Sequence, residues 1–257
     1  HLLRVEEGKE HSKIIDAADK GNIAHETLKE LYNSYVSEYI YENDYDKILE
    51  RLPIVLNKKF DKYNVGNTER TGYNYLIYEE LKKQCIKFLE SEKELVKKGN
   101  KLKIIKLEER IEYNLDIKEL PSKVKIYGYI DRIDEWNGKI RISDYKTGTV
   151  KKDKLKFFSD FSFDQLDFKK NNDNKSLFQL LIYSYMYFKQ NSVVKIKAGI
   201  IPLKTPKDYY YNITTSKEKN DNDFLLKENF IQFEKELINI FKNLFDEKVP
   251  FFTNDLE

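Results

Sequence analysis

The sequence predicts a mixed α/β domain, and three observations carry that reading. Three runs between residues 101 and 147, "KLKIIKLEERIEYNL", "SKVKIYGYIDRID" and "KIRISDYKT", are rich in β-formers and alternate in strand fashion. Apolar residues at helical spacing come before and after them. Between the second and third runs stands Asn137-Gly138, the preferred pair for a two-residue hairpin loop.

Each element follows in order. Residues 22–40 place Leu28, Leu31, Tyr32, Tyr35, Val36 and Tyr39 at helical spacing, with Gly21 and Asn22 as the start. Residues 41–70 are polar and mixed, and read as short helices and loops. Residues 73–98 read as a long helix with Ile77, Leu81, Cys85, Phe88 and Leu89 on one stripe, stopped by Gly99-Asn100. The three strands come next. Residues 150–175 form a lysine- and aromatic-rich excursion. A helix at 176–190, strands at 193–204 and 209–215, and a helix at about 223–246 complete the chain. No internal repeat is evident, so the simplest organisation is a single domain over residues 1–257.

Composition bounds what this domain can do. Of 257 residues, 40% are hydrophobic, enough for a sizeable core. The formal charge is only +2, so any anion site comes from local clustering. The one cysteine, Cys85, excludes a disulfide framework and a multi-cysteine metal site, and fits a reducing, cytoplasmic setting. No apolar run is long enough to span a bilayer. The chain lacks an initial methionine and ends in Leu256-Glu257, as a fragment of a longer protein with a cloning scar would.

The hairpin carries the chemistry. With a two-residue loop, Trp136 pairs with Lys139, Asp131 faces Asp144, and Lys146 faces Tyr129. Alternation then sets Asp131, Asp144 and Lys146 on the face of Ile133, Ile140 and Ile142. Opposed residues have Cβ atoms about 4.5–5.5 Å apart, so two carboxylates there need a cation or a shared proton. Oxygen ligands suit magnesium or manganese rather than zinc. Two alternatives stand beside this: solvated aspartates with Lys146 neutralising Asp144, and a one-residue slip that turns Asp131 to the other face. His25 shares a helical stripe with Leu28 and Tyr32, the position of a core histidine or of a ligand. Gln179 and Tyr183 are four apart on one helix face.

The strings "GYIDRID", "ISDYKTG" and "QLLIY", in that order, resemble the RecB-like branch of the PD-(D/E)xK nuclease superfamily. That branch carries G-x-x-D, then (D/E)-x-K, then Q-x-x-x-Y, with an upstream G-x-x-x-H, here Gly21 to His25. The resemblance covers roughly residues 15–204 and is nearest to the nuclease domain of AddB-type helicase–nuclease subunits.

This resemblance implies an α/β restriction-endonuclease-like core, a mixed central sheet flanked by helices. It implies Asp131, Asp144 and Lys146 as catalytic residues. It implies His25, Asp131, Asp144 and the Tyr145 carbonyl as ligands of Mg²⁺ or Mn²⁺. It implies Gln179, Tyr183 and Glu108 as residues that contact DNA or support the ligands, with Glu109 competing for the place of Glu108. The implied activity is metal-dependent hydrolysis of DNA, exonucleolytic, at single-stranded or unwound ends fed by a helicase partner in recombinational repair. The cysteines that hold an iron–sulfur cluster in many members are not among these residues, and no G-x-x-x-x-G-K-[ST] motor motif occurs. A non-catalytic DNA-binding or helicase-docking scaffold of the same fold is the alternative. A two-carboxylate glycosidase fits poorly, since no acid with a raised pKa is evident beside Asp131.

Overall fold

The computed structural model describes residues 14–63, 72–158, 172–204, 208–215 and 223–246. Its elements run α1 (Ala17–Tyr32), β1 (Tyr39–Ile40), α2 (Glu42–Tyr63), α3 (Gly72–Lys97), β2 (Leu102–Leu115), β3 (Val124–Trp136), β4 (Lys139–Lys146), α4 (Asn172–Gln190), β5 (Lys195–Pro202), β6 (Tyr211–Asn212), β7 (Leu225–Leu226) and α5 (Lys227–Phe245). The mixed α/β class and the order of the long elements, apart from α2, are those expected from the sequence. The strands lie in the order β1-β2-β3-β4-β5-β6, with β7 also paired to β5.

Contacts divide the chain into two compact units, and the division passes through β2 after Ile104 and through β4 after Asp144. The first unit is built on α1, α2 and α3, with Tyr145–Thr149 and Pro202–Tyr209. Helix α1 starts five residues earlier than Gly21-Asn22, because the Asp16 carboxylate accepts the Asp19 amide at 2.8 Å and caps the helix there. Gly21 lies within the helix, and α1 ends at Tyr32 rather than reaching residue 40.

Helix α2 replaces the short helices and loops expected over 41–70. Pro53 inside it removes a backbone bond and would ordinarily break a helix. The buried stripe Tyr45, Ile48, Leu52, Val55, Leu56 and Phe60 outweighs that cost by packing on α1 and α3. Helix α3 stops where the sequence placed its end: Gly99, at φ +93°, takes the left-handed turn that closes the helix. In this unit the fully buried Glu92 accepts the hydroxyls of Tyr32, Tyr45 and Tyr209, so its charge is dispersed over three donors.

The second unit holds β3, most of β2, β4 and β5, the short strands β6 and β7, and helices α4 and α5. Its core gathers Ile130, Ile133 and Ile142 from the strands with Leu180, Leu181 and Tyr185 from α4 and Phe233 and Leu237 from α5. The hairpin turn is the expected one, with Asn137 at φ +50° and Gly138 at φ +75°. Trp136 pairs with Lys139, Ile133 with Ile142 and Arg132 with Ser143, the register read from the sequence.

Several boundaries shift, and α4 begins at Asn172 rather than at 176. The strand expected over 209–215 shortens to β6, because Thr214 turns to bond Leu155 and Phe157 instead of continuing along β5. The last helix begins at Lys227, after β7 has paired with β5. Of the excursion at 150–175, residues 159–171 lie outside the described residues; before them a short 3-10 turn spans Lys152–Lys154.

One buried charge cluster stabilises the hairpin. Asp134 is fully buried and receives Arg132 Nε at 2.6 Å, Arg141 Nε at 2.7 Å and Arg141 Nη2 at 3.0 Å. Burial by itself would push the Asp134 carboxyl up, but the two guanidinium groups outweigh it and hold the carboxyl below its usual range. Trp136 and Tyr210 place ring centroids 4.3 and 4.9 Å from the Arg141 guanidinium. Gly199 admits Tyr210: a Cβ there would lie 2.7 Å from that ring and 2.3 Å from the Tyr211 carbonyl oxygen.

Asp134→Ala leaves two buried guanidinium groups uncompensated, so it lowers unfolding free energy by about 3–5 kcal/mol. Urea unfolding at pH 7 measures this, and an unshifted midpoint would refute the assignment. Because the folded carboxyl is depressed, its contribution is complete above the ordinary aspartate pKa of about 3.9 and disappears as pH falls through the folded value.

Candidate active site

In the second unit, strand β2 carries Glu108 at φ +49°, a left-handed conformation in the middle of a strand. Such a residue is uncommon outside glycine and re-aims its side chain out of the regular alternation. Glu108 brings a carboxylate oxygen within 4.8 Å of one from Asp131 on β3. Asp131 is 8% exposed. Glu109, next to Glu108 on β2, pairs with Lys106. Opposite oxygens around one octahedral magnesium, each about 2.1 Å from the ion, are about 4.2 Å apart. With 4.8 Å as the upper limit of their separation, the two carboxylates converge closely enough to be drawn onto one divalent cation, and their oxygen donors suit magnesium or manganese.

The ladder between β3 and β4 ends at Arg132 and Ser143. Asp131 and Asp144 occupy the first step beyond it, and Asp144 is 3% exposed. The cross-strand pairing read from the sequence thus holds up to the residue before the two aspartates.

In the first unit, Tyr145 is buried and its ring meets His25 and Phe88 edge-on, with centroids 5.8 and 5.7 Å away. His25 Nε2 donates to the Tyr145 carbonyl oxygen at 2.9 Å. Lys146 is fixed through its backbone, whose carbonyl accepts the Leu203 amide at 2.9 Å. Gln84 reaches the next carbonyl, Thr147, at 3.5 Å. The lone thiol, Cys85, is buried, and burial pushes it up to about 12, so it stays protonated.

Gln179 and Tyr183 act as a pair on α4, in the second unit: Gln179 Nε2 donates to the Tyr183 hydroxyl at 3.2 Å. Tyr183 lies on Gly128, where an added Cβ would stand 2.5 Å from its ring. The glycine that opens G-x-x-D is therefore a seat for the tyrosine that closes Q-x-x-x-Y. Sequence reading missed two features here. The Arg132–Asp134–Arg141 cluster was legible, since the hairpin register already sets Asp134 against Arg141. The positive φ at Glu108 had no signal, because its local sequence reads as unbroken strand.

Comparison with known proteins supplies the family. A family model described as PD-(D/E)XK nuclease superfamily matches residues 1–255. No curated protein and no solved structure matches the chain. The mixed sheet flanked by helices is the restriction-endonuclease-like core expected of such a match.

Gly128→Ala drives a methyl into the Tyr183 ring and costs about 1–3 kcal/mol. Adding Tyr183→Ala removes the clash, so the double variant loses less than the two single losses together. Urea midpoints of the four proteins check this, and strict additivity would show that the contact is absent.

Proposed function

The chain belongs to the PD-(D/E)XK nuclease superfamily, and from that premise we propose that it hydrolyses DNA phosphodiester bonds with a divalent metal, Mg²⁺ or Mn²⁺. The carrying observation is the pair of carboxylate oxygens from Glu108 and Asp131 within 4.8 Å of one another. Asp144 joins them as a ligand from β4. The resemblance adds His25 and the Tyr145 carbonyl to the set; the Nε2 proton that now bonds that carbonyl would have to leave before His25 could bind a cation. When bound, the cations polarise the phosphate and stabilise charge on the leaving oxygen. The Lys146 ammonium is the compact cation that positions the attacking water and meets the scissile phosphate. Gln179 and Tyr183 hold β3 at Gly128 and so support the Asp131 strand from behind.

The finer reading rests on the resemblance. Residues 1–257 act as one nuclease domain of the RecB-like branch, nearest to AddB-type subunits. The domain trims ends exonucleolytically in recombinational repair, on a single strand delivered by a helicase, in the cytoplasm. Among the described residues no helix is long and apolar enough to cross a membrane.

End-labelled single-stranded DNA incubated with Mg²⁺, with Mn²⁺ or with EDTA tests the proposal. Cleavage requires the metal and stops in EDTA. Lys146→Ala lowers cleavage at least about a hundredfold while circular dichroism and DNA retention stay as in the wild type. Metal-independent cutting, or wild-type turnover by Lys146→Ala, would overturn this mechanism. DNA binding with no cleavage under any metal would favour the scaffold reading.

A further inference from the structure

Strand β3 lies between β2 and β4, yet part of it is open on one face. From Val124 to Tyr129 burial alternates strictly, and the exposed positions are Lys125, Tyr127 and Tyr129. Tyr127 is 63% exposed and Tyr129 52%. From Ile130 to Asp134 the strand is buried without a break. The open stretch thus ends at Tyr129, two positions before Asp131 and, by alternation, on the same face. At about 3.3 Å per residue, Tyr129 and Tyr127 stand about 7 and 13 Å along the strand from that carboxylate.

Two cations, Arg110 and Lys125, gather at the Tyr127 end of the aromatic pair around Glu112. Arg110 on β2 sets its guanidinium 5.8 Å from the Tyr127 ring centroid. Glu112 lies between the two cations, 2.9 Å from Arg110 Nη2 and 3.1 Å from Lys125 Nζ, and ties them together.

We propose that Tyr127 and Tyr129 form a stacking platform that seats two successive bases of single-stranded DNA beside the Asp131 carboxylate, with Arg110 and Lys125 meeting the backbone phosphates. This rests on the nuclease reading above and deepens it. Every base has a π-face, so aromatic seats hold a strand without reading its sequence. Residues two apart on a strand are separated by about 6.6 Å. That is about twice the 3.4 Å rise of stacked bases, so neighbouring bases part and each takes its own ring. A duplex keeps its bases stacked inside and cannot use such seats. The platform therefore selects single strands and sets a phosphodiester a fixed distance from the carboxylates.

Binding in EDTA isolates the platform from cleavage. A single-stranded oligonucleotide carrying 2-aminopurine is titrated with the wild type, with Tyr127→Ala/Tyr129→Ala and with Tyr127→Phe/Tyr129→Phe. The rings quench the probe in the wild type and the Phe variant. The Ala variant loses the quenching and binds about tenfold or more weakly. Wild-type affinity and quenching in the Ala variant would overturn the proposal, as would equal loss of affinity for a blunt duplex. Wild-type cleavage in Mn²⁺ is read separately. Its absence would sink the nuclease reading while leaving the binding comparison to decide the platform.

Discussion

Two carboxylates held within 4.8 Å of one another on neighbouring strands are the constraint on which this molecule turns. Like charges at that range repel, and burial of Asp131 at 8% exposure removes much of the water that would screen them. A chain that keeps such a pair must spend structure on it, and β2 does so by placing Glu108 in a left-handed conformation. Strain of this kind persists only where the surroundings over-determine it, and it gathers at sites that do chemistry.

The surroundings here are concrete. Beyond Asp131 on β3, Arg132 and Asp134 lock onto Arg141 of β4, so the hairpin is fixed by three buried charges as well as by its turn. Before Asp131, Gly128 receives Tyr183, so α4 fixes the strand within the same G-x-x-D string. The aspartate is thus clamped on both sides along its own strand. On β4, the amide of Leu203 fixes the backbone of Lys146. The two clamps on β3 come from a strand and a helix rather than from loops, which is how catalytic groups keep their geometry.

Much of this was legible in the sequence because it rests on local rules. Asn137-Gly138 dictates its turn, the turn dictates the register, and the register sets Arg132 against Ser143. The long strands and helix α3 follow from periodicity. What failed was tertiary. Pro53 reads as a breaker, and only packing on α1 and α3 keeps α2 continuous through it. Asp16 was passed over as a cap because Gly21-Asn22 is the stronger punctuation, although a glycine inside a packed helix is tolerable. The fit of Tyr183 on Gly128 needs three-dimensional contact, and neither residue announces it. The choice between Glu108 and Glu109 could not be made from two adjacent glutamates; the structure sets Glu108 beside Asp131 and pairs Glu109 with Lys106.

The central claim is that the Glu108–Asp131 pair is built for a divalent cation. Calorimetric titration with Mn²⁺ of the wild type beside Asp131→Asn tests it most directly, since the amide keeps the shape and removes the charge. The account predicts a saturable site in the wild type and at least a tenfold weaker one in the variant. Equal Mn²⁺ affinity in the two proteins would contradict it.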